Sequence, residues 1–134
     1  MNIKKGHALI ADFLFLIIVV VFVEYLCHDY SCYSLESTVT EPLFYAFAGL
    51  VPTLSYLMLF DQQIFYSWTK QVASWFLPLT LILVASVDEG QGLFPLSSDG
   101  RNDIVIIMMM FLFIITLVYA LIMNRRYKKR SLEG

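Results

Sequence analysis

Asp12 stands inside an apolar stretch, residues 8–26, with no other charge until Glu24. A carboxylate in such a segment is expensive to desolvate. Its default chemistry is that of a proton carrier or a cation ligand facing the interior of a helix bundle. The structural alternative is a carboxylate that reaches back to the aqueous surface, or pairs with Lys5 or a basic residue near Arg125. Glu24, Cys27 and His28 form a second constellation at i, i+3 and i+4, on one face of a helix end, with Asp29 and Cys32 following. Glu, Cys and His are ordinary zinc ligands, but this spacing matches no closed structural site. A Glu24–His28 pair at the helix end is the plainer reading. Asp12 and Glu24 are therefore the ion or proton candidates, and no metal is assigned. In a bacterial inner membrane Cys27 and Cys32 would face an oxidising compartment, where a disulfide could close a small loop. Free thiols are the alternative.

Enzyme chemistry finds little support. Cys27 and Cys32 are spaced Cys-x4-Cys, not the Cys-x-x-Cys of disulfide-exchange enzymes. His7 and His28 flank opposite ends of the first apolar stretch, so they cannot both ligate one haem. Gly-x-Ser-x-Gly, His-Glu-x-x-His and the phosphate-binding loop are all missing. The expectation is a non-enzymatic protein without a cofactor.

The elements that must position these residues are membrane helices. Only 15% of the 134 residues are charged, against about 25% in soluble domains, and 59% are hydrophobic. Four apolar segments can be drawn at 8–26, 42–60, 68–87 and 104–123. The last runs without a charge and covers roughly 30 Å as a helix, the thickness of a bilayer's hydrocarbon core. Arg125, Arg126, Lys128, Lys129 and Arg130 follow at once as a lipid or topology anchor. The flanks sort by sign. Lys4, Lys5, Lys70 and those five residues oppose Asp61 and Glu133 on one side, a balance of +6. Asp29, Glu36, Glu41, Asp88, Glu89, Asp99 and Asp103 oppose Arg101 on the other, a balance of −6. The basic side is expected to be cytoplasmic, which places both termini there. The flanks cancel, so the formal net charge of −2 is that of Asp12 and Glu24.

Local signals fill in the spans. Lys4 and Lys5 before an apolar run resemble a signal peptide, but no small-x-small cleavage pattern follows, which favours a retained signal anchor. Thr40-Glu41-Pro42 reads as a hydroxyl cap, a first-turn carboxylate and an early proline. Ala46, Gly49 and Thr53 form a stripe of small residues suited to close helix packing, and Thr116 and Ala120 form another. Pro52 and Pro78 predict kinks in the second and third spans. Residues 62–70 read as a turn or a short interfacial helix leading into the third span. Met108, Met109 and Met110 point in three directions on a helix, so they read as packing or lipid-facing surface. Ser131-Leu132-Glu133-Gly134 could be a cloning scar and carries no functional weight.

The expected fold is all-α: one integral membrane bundle of four transmembrane helices over residues 1–134, with short loops and a central second helix. The leading functional expectation is an accessory or scaffold subunit of a membrane assembly. Its partners are membrane lipids and other membrane subunits or a second copy, and not nucleic acid. A small proton- or cation-coupled transporter or channel using Asp12 is the alternative.

Overall fold

The computed structural model describes residues 5–26, 39–87 and 100–133. Among these residues the chain is helical apart from short turns and has no strand. Five α-helices follow in order: α1 (Lys5–Leu26), α2 (Glu41–Leu57), α3 (Gln62–Trp68), α4 (Ser74–Ala85) and α5 (Gly100–Glu133). A π-helical turn, Thr69–Ala73, joins α3 to α4. Among the described residues two helices are long and apolar enough to cross a membrane, through Lys5–Tyr25 of α1 and Gly100–Lys129 of α5. Cys27, His28 and Cys32 lie outside the described residues, and so does the disulfide expected between the two cysteines.

The core sits where α2, α3, the π-turn and α4 meet α5. Val105, Met109, Leu112, Thr116 and Ala120 are all buried along α5. Their spacing of three and four residues tracks the 3.6-residue helical period, so they make one continuous seam. Gly49 on α2 marks a close approach of the two helices. A Cβ placed there would meet Met109 Cβ at 2.5 Å and Met109 Cγ at 2.6 Å. Thr53, one turn further, is fully buried, and Ala46 packs against the same core. The small residues thus let a backbone approach that a larger side chain would prevent.

The π-turn has a readable cause. Ile64, Trp68, Val72, Phe76 and Thr80 are all buried at a strict spacing of four. Four residues overrun a 3.6-residue turn, so an unbroken α-helix would rotate this row off α5 within a few turns. One wider π-turn absorbs the excess and keeps the row facing inward. The segment expected as a turn or short helix is therefore part of one helical run from Gln62 to Ala85.

Thr40 does not cap α2 as its sequence suggests. Its own backbone is helical, φ −73° and ψ −44°, and its side chain makes no capping bond. An N-cap needs an extended backbone to aim its oxygen at the first free amides. Glu41 and Pro42 do occupy the first turn. Helices continue past both Pro52 and Pro78, whose rings are exposed.

Candidate functional site

α1 runs antiparallel along α2. A Cβ at Gly6 would sit 3.8 Å from Met58, and Phe15 stacks on Phe47 with ring centroids 4.0 Å apart. Asp12 falls between these two contacts, about 10 Å along the helix from Lys5. It is only 5% exposed, while its neighbours Phe13 and Leu14 are open on the outer face. Both carboxylate oxygens are buried, and neither has a hydrogen-bond partner among the described residues. Asp12 therefore does not reach back to the aqueous surface.

Pairing with Lys5 is also not what the chain does. The Lys5 ammonium donates to the Met58 carbonyl at 2.9 Å and to the Phe60 carbonyl, and its backbone amide donates to Gln62 Oε1 at 3.2 Å. These carbonyls lie just past the end of α2, where the helix dipole is negative and the last acceptors lack amides. Lys5 is thus the C-terminal cap of α2, pointing away from the carboxylate. An unpartnered carboxylate in an apolar interface can take up a proton or accept a cation. It cannot orient a substrate through neighbours it does not have.

Glu24 lies 12 residues beyond Asp12 on α1, roughly 18 Å along the axis, so the two do not form one site. It is exposed and lines a cavity of about 210 Å³ shared with Val19, Val23 and Glu41. At this end Asn102 Nδ2 donates to Glu41 Oε2 at 2.7 Å, joining α5 to α2. Arg101 Nε donates to the Val87 carbonyl at 3.1 Å. Among the described residues no group of three His, Cys, Asp or Glu side chains could hold a metal ion.

The opposite end carries a polar ladder that sequence reasoning missed. Trp68 Nε1 donates to Thr116 Oγ1 at 2.8 Å, and that hydroxyl donates to the Leu112 carbonyl at 2.7 Å. Tyr119 OH lies 2.6 Å from Ser67 Oγ and donates to Gln71 Oε1 at 2.9 Å. The small-residue stripe located Thr116 but gave no sign of its indole partner, 48 positions away. Arg125, Arg126, Lys128 and Lys129 are exposed on the last turns of α5, and the Arg130 side chain lies outside the described residues.

No protein-family model matches the chain, and neither a curated protein nor a solved structure matches it.

Proposed function

We propose that the chain is a four-span membrane protein, with both termini cytoplasmic, acting as a non-enzymatic accessory or scaffold subunit of a membrane assembly. Element lengths support four spans. α2 is about 26 Å long and the run from Gln62 to Ala85 about 36 Å, close to or beyond the hydrocarbon thickness. The charge partition supports the sidedness. Lys5, Lys70 and the basic end of α5 share one end of the bundle, while Glu41, Asn102 and Asp103 share the other. A bacterial inner membrane suits this arrangement.

The observation that carries the subunit reading is the placement of α1. It packs along α2 and leaves Ile10, Phe13, Leu14, Ile17, Ile18 and Val21 exposed as a broad apolar face. Such a helix is placed to pack against another membrane subunit or a second copy of the chain. Purification in mild detergent followed by native mass spectrometry tests this. A partner chain or a homo-oligomer is expected, and a lone stable monomer refutes the reading.

Asp12 favours a second reading, a small proton- or cation-coupled transporter or channel. Its buried, unpartnered oxygens are the reason. Ion flux in proteoliposomes tests it through Asp12→Asn. Unchanged flux in a folded variant removes the carboxylate from the mechanism.

A further inference from the structure

A cavity of about 260 Å³ lies between the start of α1 and the α3–α4 run, floored by α2. Ala8, Leu50, Leu54, Tyr66, Trp68 and Leu77 are among its walls. The wall is apolar in character: the Thr69 hydroxyl donates to the Phe65 carbonyl at 2.9 Å, and the Trp68 indole N–H is bonded to Thr116. A cavity of this kind does not hold ordered water. Leu54 and Leu50 lie one and two turns in from Met58, so the space reaches roughly 12 Å inward from the basic end of the bundle. At that end Lys70 stands over the ring of Tyr66, with Nζ 5.8 Å from its centroid. Tyr66 itself lines the cavity, so the ammonium is held at its mouth. Among the described residues no acidic side chain lines the cavity. Asp61 precedes Lys70 by nine residues, about 13 Å along the helical run, which exceeds the screening length of about 8 Å at physiological salt.

From an apolar slot that opens beside a cation, we infer that the chain binds one anionic phospholipid of the cytoplasmic leaflet, with an acyl chain between α1 and α4 and its headgroup at Lys70. Tail and headgroup are both required. The slot excludes water, and the ammonium selects charge among lipids whose tails are alike. The site rests on the membrane-spanning reading above but not on the subunit reading.

The chain's two tryptophans give a direct test. Trp75 is 50% exposed on the outer surface, whereas Trp68 is 3% exposed and lines the cavity. The protein is reconstituted in phosphatidylcholine vesicles carrying a low fraction of acyl-brominated phosphatidylglycerol or acyl-brominated phosphatidylcholine. In Trp68→Phe, where Trp75 alone emits, quenching by either lipid reports insertion; its absence overturns the membrane reading itself. In Trp75→Phe the remaining signal is Trp68. The brominated anionic lipid is expected to quench it with about fivefold higher apparent affinity than the zwitterionic one, the factor for one ammonium near an anionic headgroup. Lys70→Gln is expected to abolish that preference while leaving tail quenching. Equal quenching by both lipids, or none of Trp68 in an inserted protein, overturns the site. Ala8→Phe fills the slot from α1 and is expected to protect Trp68 from both lipids, with wild-type far-UV circular dichroism showing that the fold is kept.

Discussion

Gly49→Ala adds one methyl group where α2 meets α5, and the geometry fixes the sign of its effect. On helix propensity alone, alanine is better than glycine by about 1 kcal/mol. The new Cβ would meet Met109 Cβ at 2.5 Å, where ordinary contact begins near 3.4 Å. Met109 Cβ is fixed to its backbone and cannot swing away, so the helices must part by roughly 0.9 Å. Overpacking of this kind costs about 1–3 kcal/mol, and parting the helices also loosens Val105 and Leu112 along the same seam. The clash outweighs the propensity gain, leaving a net loss of about 1 kcal/mol or more. Thermal unfolding in mild detergent, followed by circular dichroism, should show a midpoint lower by roughly 4 °C or more. The partner background sharpens the test. Met109→Ala removes Cγ but keeps Cβ, so it should not rescue Gly49→Ala, whereas Met109→Gly should. A Gly49→Ala protein as stable as the wild type, or rescue by Met109→Ala, would refute the close approach.

Three further substitutions test separate parts of the structure by the same unfolding assay. Thr116→Val removes the acceptor of the buried Trp68 indole and should cost about 1–3 kcal/mol; in a Trp68→Phe background the same change should be nearly neutral, so additive losses would exclude the bond. Lys5→Ala leaves the Met58 and Phe60 carbonyls without their charged donor and should cost about 1–2 kcal/mol, with an unchanged midpoint ruling out the cap. Asp12→Leu should raise stability by about 1 kcal/mol or more, since it relieves a desolvated carboxylate and breaks no bond; a less stable protein would reveal a partner for Asp12.

Much of this fold is visible in sequence because its helices are long and apolar. Apolar length marks α1 and α5, and the small residues Ala46, Gly49, Thr53, Thr116 and Ala120 lie on faces that the structure packs against the core or a neighbouring helix. The π-turn was not visible as a turn. Its trace was the row Ile64, Trp68, Val72, Phe76 and Thr80, whose fours look like ordinary amphipathic spacing until they are summed over five positions. The Trp68–Thr116 bond joins residues on different helices, and no local pattern encodes which hydroxyl an indole will find.

Asp12 shows where the boundary falls between what sequence and structure each decide. Its cost follows from residue type and depth, both read from the chain. Whether that cost is offset depends on where every nearby donor points. The obvious donor, Lys5, is about two turns away on the same helix, and a sequence argument naturally pairs them. Two carbonyls at the end of α2 compete for the same ammonium, and they lie at the bundle's basic end, where it can stay partly hydrated. Reaching Asp12 would instead draw the ammonium into the apolar interface, adding its desolvation to that of the carboxylate. The exchange is unfavourable, so the capping contact wins and Asp12 is left bare. If the carboxylate has a role, its partner comes from outside the described helices, and a proton, a cation and another chain are the candidates with a functional meaning. Ion flux through Asp12→Asn and native mass spectrometry of the same variant separate these, because loss of flux with assembly intact points to an ion, and loss of assembly points to a chain.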